Sequence, residues 1–380
     1  MTDVIKQELN LFWNTDSQSH NGKRTLYLDM ARGIAIILVV MGHSIFVNDA
    51  LNIWLSTFHL PAFFFISGWL IQEKSEYTLP FSSVIKKKAT GILIPYLWFS
   101  VGSLLLDFIK VLLGSFTLDI LTTHFIETIT FQGYSVMWFL PVLFLSELFV
   151  LLLLKVLHNS IPSRLLTAVI LSAVLFVCGF YTYQGYQSLL ETVASPLLLN
   201  ELRILAKSVI AATFISFGYL LSAICTDTKK EVSARAKTSF SLLGLLLGII
   251  LTGFNIYASG SIHIMDLNNL NLGSVTLYFL LGTTGSLGLL LICRSIPNIP
   301  LLTFYGQNTL IIMCTHLNFY IMYLAELICF RIAGYFPWDD LKEIAVFSII
   351  GTMTLEILVI LLTRIFLPFT LGKPIRPRKK

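Results

Sequence analysis

The chain has 380 residues, of which 56% are hydrophobic and 12% charged, with a mean hydropathy of +0.80 and a net charge of +5. Soluble domains carry about 25% charged residues, so the composition excludes an ordinary water-soluble fold. The expected class is an all-α, polytopic membrane bundle surrounded by lipid bilayer, with no nucleic-acid partner.

In chain order, residues 1–23 are mixed and polar and lack the apolar core of a cleavable signal peptide. The first span is therefore expected to act as its own insertion signal. A helix needs about 20 apolar residues to cross the hydrocarbon core. Runs of that kind predict about ten transmembrane helices, at 31–49, 54–72, 91–112, 136–156, 165–183, 204–225, 238–258, 273–293, 305–329 and 344–367. Lys6, Lys23, Arg24, Lys74, Lys86–Lys88, Lys229, Lys230 and the tail "GKPIRPRKK" all fall on one side of such an arrangement. The opposite loops hold mainly Asp119, Glu127, Glu191, Asp266, Asp339 and Asp340. By the positive-inside rule both termini are cytoplasmic. The organisation read from this is a cytoplasmic N-terminal segment (1–25), a transmembrane domain (26–370) and a basic cytoplasmic tail (371–380), with no soluble domain expected after the last span. "GLLLG" (Gly244, Gly248) predicts a close helix–helix approach. Cys178, Cys225, Cys293, Cys314 and Cys329 stand singly in or beside apolar stretches, so they read as packing residues and no metal site is expected.

Polar residues inside the spans carry the functional reading, because ionisable groups there are costly and usually face a bundle interior or a wet cavity. In "YLDMARGIAIILVVMGHS", Arg32 and His43 lie eleven positions apart. On a helix that is three turns plus about 20° and a rise of about 16 Å, which puts both on one stripe turned towards a common tunnel. Asp29 pairs with Arg32 at the i, i+3 spacing, a contact that could equally be a simple interface pair. His59, before Pro61 in "FHLPAFFFISG", either caps backbone groups freed by the proline or shares a pocket with His43 across a short hairpin. Glu147, nine residues past Trp138 in "MWFLPVLFLSELF", needs a partner at mid-depth. A histidine held in a base-competent tautomer is one option and a structural bond to another helix is the other. Gln307 reads as interhelical glue, while Asn308 and His316 are open between glue and function.

As a set these residues resemble the integral-membrane acyltransferase family 3, which includes glycan O-acetyltransferases. The arginine and histidine of "LDMARGIAIILVVMGHS" recur in that family with ten residues between them. "FHLPAFFFISG", "IKKKATGILIPYLWF", "MWFLPVLFLSE" and "FYGQNTLIIMCTH" resemble its later blocks in the same order. The flavour is that of the short, stand-alone, fucose acetylase-like branch. The resemblance implies a multi-pass enzyme of the bacterial cytoplasmic membrane that holds no permanent cofactor. Such an enzyme takes an acyl group, commonly acetyl from cytoplasmic acetyl-CoA, to a hydroxyl of a surface glycan or its lipid-linked saccharide precursor. On this reading His43 is the general base, Glu147 its orienting carboxylate, and Arg32 the group that holds the donor or stabilises charge. His59, Asp29, Trp138, Asn308, His316 and Lys87 would contribute to substrate binding, although the cluster Lys86–Lys88 serves topology equally well. The chain lacks the G-x-S-x-G elbow of serine hydrolases, and Val47 and Asn48 stand where an HxxxxD motif would need its aspartate. Two other readings stay open: a proton-coupled transporter or flippase of a glycan precursor, and a transferase of succinyl or another acyl group.

Overall fold

The structure is a computed structural model that describes residues 25–227, 234–333 and 341–374. The expectations placed on residues 1–24, on Lys229 and Lys230, on Asp339 and Asp340 and on the last six residues of the tail lie outside the described residues.

A chain in hydrocarbon must pair every backbone N–H and C=O internally, which leaves helices or a closed barrel. Among the described residues this chain is helical, with a single isolated bridge between Asp266 and Asn271. Helix α1 (Leu26–Gly42) and α2 (Asp49–Glu73) form a hairpin. Helix α3 (Phe81–Lys88) runs through a π-turn at Ala89–Leu93 into α4 (Ile94–Leu112). Then follow α5 (Leu118–Ile129), α6 (Phe139–Ser160), α7 (Arg164–Thr192), α8 (Pro196–Asp227), α9 (Ala234–Ser259) and α10 (Val275–Ser295). Three short helices, α11 (Pro300–Gln307), α12 (Thr309–Thr315) and α13 (Ile321–Ala333), precede α14 (Leu341–Phe366).

Among the described residues, eight segments are long and apolar enough to cross a bilayer: Asp49–Glu73, Phe81–Leu112, Ser135–Ser160, Arg164–Thr192, Leu198–Cys225, Ser241–Ser259, Val275–Ser295 and Glu343–Phe366. Two of the ten expected runs depart from that pattern. The first was expected at 31–49, but α1 begins earlier and stops after 17 residues at Gly42. Its chain is turned there because Asn48 starts a new helix, accepting a hydrogen bond from the Leu51 N–H as N-cap. The run at 305–329 is broken twice. At Asn308 the side chain donates to the Phe304 carbonyl (2.7 Å), competing with the helix for that acceptor. After His316 the chain turns again, with Tyr320 at φ +60°. Helix α5 matches no expected span. With 12 residues it is too short to cross, and its Leu118, Phe125 and Ile129 are exposed.

The centre of the bundle is α2 with α8, and α1 packs on α2, α10 and α11. Two contacts bring backbones together where only glycine fits. A Cβ on Gly306 would meet the Asp29 carbonyl at 1.7 Å, and one on Gly33 would meet that of Leu302 at 1.9 Å, locking α11 against α1. Gly68 and Gly218 make the same reciprocal contact between α2 and α8. Small residues at membrane helix interfaces permit this approach, and Gly248 uses it as the sequence predicts, facing Gly288 of α10. Polar bonds add to the packing: Asn255 of α9 accepts from the Thr57 hydroxyl (3.0 Å) and donates to the Leu281 carbonyl (2.7 Å), tying three helices together.

Candidate active site

The turn between α1 and α2 opens on a cleft of about 450 Å³. His43, His59 and Trp138 are among its walls, together with Asn52, Ser56, Ser135 and the segment 264–268. Each is placed by local structure. His43 is the C-cap of α1, its N–H bonded to the Val40 carbonyl. The next residue, Ser44, donates to Glu326 of α13 (3.1 Å), so a buried carboxylate ties down the turn that carries the imidazole. Trp138 ends a tight turn in which Gly133 has φ +72° and Ser135 φ +54°. A Cβ on Gly133 would lie 2.3 Å from the Trp138 nitrogen. Aromatic rings placed by such a turn present a fixed apolar face.

Three imidazoles converge here. The rings of His43 and His316 have centroids 5.4 Å apart and are tilted by 41°, packed against each other with no hydrogen bond between them. His316 is fully buried. Its Nδ1 faces the Ile312 carbonyl at 2.7 Å, and its Nε2 has no partner among the described residues. A carbonyl can only accept, so Nδ1 carries the proton and Nε2 presents a lone pair. His59 has the same geometry, with Nδ1 donating to the Leu55 carbonyl. The carbonyl that Pro61 leaves without a helix donor is that of Thr57, so His59 does not repair the proline break. Both amide atoms of Asn318, two residues past His316, are also buried with no partner among the described residues. Buried polar atoms of that kind are uncommon and call for an explanation.

The other expected residues lie away from this cleft. Asp29 and Arg32 form an ion pair at 3.8 Å at the other end of α1, and Gln307 donates to Asp29 (3.3 Å). Arg32, Ile36, Val39 and His43 share the stripe expected from their spacing. Ile36 and Val39 fill it with packed apolar side chains, so the common tunnel is closed between its ends. Glu147 accepts from the Ser67 hydroxyl and pairs with Lys88 (3.2 Å). Lys88 also reaches Glu76 (2.8 Å), whose other oxygen takes Lys87 (2.9 Å). Burial alone would raise the Glu76 carboxyl, but Lys88 and Lys87 outweigh it and hold the group below the usual carboxylate range. Both oxygens of Glu147 are therefore committed to Ser67 and this inner ion chain, and it does not line the cleft of His43. Asn308 sits at the α11–α12 break, donating to Phe304 and accepting from Arg364 (3.4 Å).

Sequence reasoning missed four contributors. Asp266 and Asn268 lie in a loop between α9 and α10 with no motif. Glu326 sits in the broken ninth run, where no depth could be assigned. Lys207, buried on α8, donates to Asn268 (2.9 Å) and lies 4.6 Å from the centre of the Trp138 ring. A lysine inside the apolar window "LRILAKSVIAATF" was the one available signal.

Comparison with curated proteins and with solved structures finds no match. The model of the family described as an acyltransferase domain matches residues 25–369, from the start of α1 to the end of the last apolar helix. Three buried or cleft-lining imidazoles in a multi-helix apolar bundle thus sit within a match that covers most of the chain, and the chain belongs to the acyltransferase 3 family.

Proposed function

We propose that the protein is a membrane O-acyltransferase that moves acetyl from cytoplasmic acetyl-CoA to a hydroxyl of a cell-surface glycan or its lipid-linked saccharide precursor. On this reading it works in a bacterial cytoplasmic membrane, in the fucose acetylase-like branch of the family, with no resident cofactor. The observation that carries the proposal is His43 at the wall of a cleft that also presents Trp138 and His59, with the His316 ring packed against it from behind.

The roles follow from the hydrogen bonds. Nε2 of His316 can only accept and has no partner among the described residues; on this reading a neutral His43 turns its one N–H to it in the reacting complex and keeps its other ring nitrogen as a base facing the cleft. The orienting role that sequence reading assigned to Glu147 passes to His316. The acceptor hydroxyl gives its proton to His43, and its oxygen attacks the thioester carbonyl. The C–S bond then breaks, and the thiolate leaves with the proton held by His43, which returns the imidazole to its neutral form. Trp138 supplies a flat face for a sugar ring and His59 a second basic nitrogen beside it. Arg32, Asp29 and Lys87 lie at the opposite end of the bundle, where a polyanionic donor would enter. Asn308 at the α11–α12 break holds that end of the bundle in register through Arg364. Ile36 and Val39 must move aside for a donor arm to pass along the α1 stripe.

Purified full-length protein, incubated with acetyl-labelled acetyl-CoA and an acceptor glycan, tests the reading. Label on the glycan hydroxyl supports it. Glycan movement across a reconstituted membrane with no consumption of acetyl-CoA would overturn it in favour of transport.

A further inference from the structure

Lys207 is buried to 3% exposure on α8, and its ammonium has one hydrogen-bond partner of neutral charge, the Asn268 amide oxygen at 2.9 Å. Its other contact is the face of Trp138, 4.6 Å away. Among the described residues no carboxylate lies within ion-pair distance of it. The acid of the same loop, Asp266, lies within electrostatic range of Lys207 and on the cleft wall but makes no ion pair with it: its two oxygens accept from the backbone N–H and side-chain amide of Asn269 (3.1 and 2.7 Å). A buried cation ordinarily requires a counter-ion or the loss of its charge. An ammonium has three donors, and one is used here.

The two residues that hold Lys207, Trp138 and Asn268, are both walls of the His43 cleft. The loop that brings Asn268 there is rigidly fastened. Ser56 of α2 accepts from the Met265 N–H (3.0 Å), and Gln187 of α7 donates to the Leu270 carbonyl (2.8 Å). Leu267, Leu270 and Leu272 are buried beneath it. The loop is therefore a built wall with Lys207 packed behind it, and an acid group lodged between Trp138 and Asn268 would lie against the two residues that hold the ammonium.

We propose that Lys207, with Asn268 and Trp138, forms an anion subsite for the acceptor. The acceptor saccharide thus carries a negative charge, a sugar carboxylate or a phosphate, beside the ring whose hydroxyl is acylated. The proposal rests on the acyl-transfer reading only for the word acceptor; binding itself can be measured with no acyl donor present.

The experiment uses the full chain in detergent micelles and measures binding of methyl glucuronoside, glucose 1-phosphate and the neutral methyl glucoside by isothermal calorimetry. At least one of the two acidic sugars is expected to bind about tenfold tighter than the neutral one, and which of them does so identifies the anion. In Lys207→Met that preference falls to within twofold. Asn268→Asp supplies the missing counter-ion from the protein and keeps the buried charge paired, so it too should abolish the preference. Equal binding of all three sugars to the parent protein overturns the proposal, as does a preference retained in Asn268→Asp. If acetyl transfer fails while the acid preference persists, the transfer reading falls and the anion subsite stands.

Discussion

At the scale of single residues, the division of labour between His43, His316 and Glu147 is the sharpest claim. His43→Ala should lower the rate of transfer by about 10²–10⁴-fold, the range that general-base catalysis contributes, with the variant still inserted and monodisperse. His316→Ala should lower kcat by about tenfold or more and leave the acceptor KM unchanged, because His316 orients the base without lining the cleft. A pH–rate profile whose acidic limb, where the base becomes protonated, moves in His316→Ala would separate orientation from a packing defect. Glu147→Gln should behave differently. It leaves Lys88 one anion short, so the melting temperature in detergent drops while kcat of the folded fraction is unchanged.

Glu76 supplies a pH test of that ion chain. Its folded-state carboxyl is held below the usual range by Lys88 and Lys87, so its contribution is fully present above the unfolded value of about 4.3 and is lost as pH falls through the folded value. Glu76→Gln should cost about 3 kcal/mol at neutral pH. The gap between parent and variant in thermal melts should close as the buffer is taken below pH about 4. A gap independent of pH would mean that Glu76 acts through packing alone.

Among the elements, the join of α1 to α11 bears most directly on the site, since it sets where the histidine-bearing turn stands relative to α12. Gly306 and Gly33 interlock there with no room for a methyl group. Gly306→Val should destabilise by about 3 kcal/mol and reduce transfer, because Asp29 and the Gln307 bond are displaced with it. Gly185→Ala on α7 is the control: a Cβ there meets nothing within 4 Å, so melting temperature and activity should match the parent. The glycine of "FYGQN" was visible in the sequence as part of a resembling block, but its reason was not. A backbone-to-backbone approach belongs to two helices at once and leaves no periodic trace in either. The breaks at Asn308 and after His316 escaped for a related cause. The run 305–329 is apolar enough to read as a single span, and local side-chain bonds to the backbone override that average.

For the whole molecule, charge bias sets the orientation expected of the bundle. Lys86–Lys88 and Lys74 lie at the end of α2 and α3, remote from the turn that carries His43 and from the 261–274 loop, so the cleft opens on the side opposite the basic loops. A cysteine introduced at Asn269, in a chain otherwise stripped of cysteine, should react with a membrane-impermeant maleimide in intact cells. One at Ser75 should react only after permeabilisation. The reverse pattern would invert the assignment and move the donor and acceptor sides with it.

What the sequence determined by itself is what free-energy averages over long windows can express. Apolar length makes helices in a bilayer because unpaired peptide groups are intolerable there, and polar residues inside such windows single out His43, His59, Arg32 and Glu147 as costly and therefore worth explaining. Fixed helical spacing put Arg32 and His43 on one stripe. Tertiary structure decided which polar residues meet. It sent Glu147 to Lys88, brought His316 to His43 from 273 residues away in sequence, and closed the stripe between Arg32 and His43 with Ile36 and Val39. It also turned an unremarked loop into the wall that holds Lys207. The physical reason is that a hydrogen bond or ion pair is a short-range contact between groups on different elements. Its existence depends on how the helices dock, a property that no single stretch of chain contains.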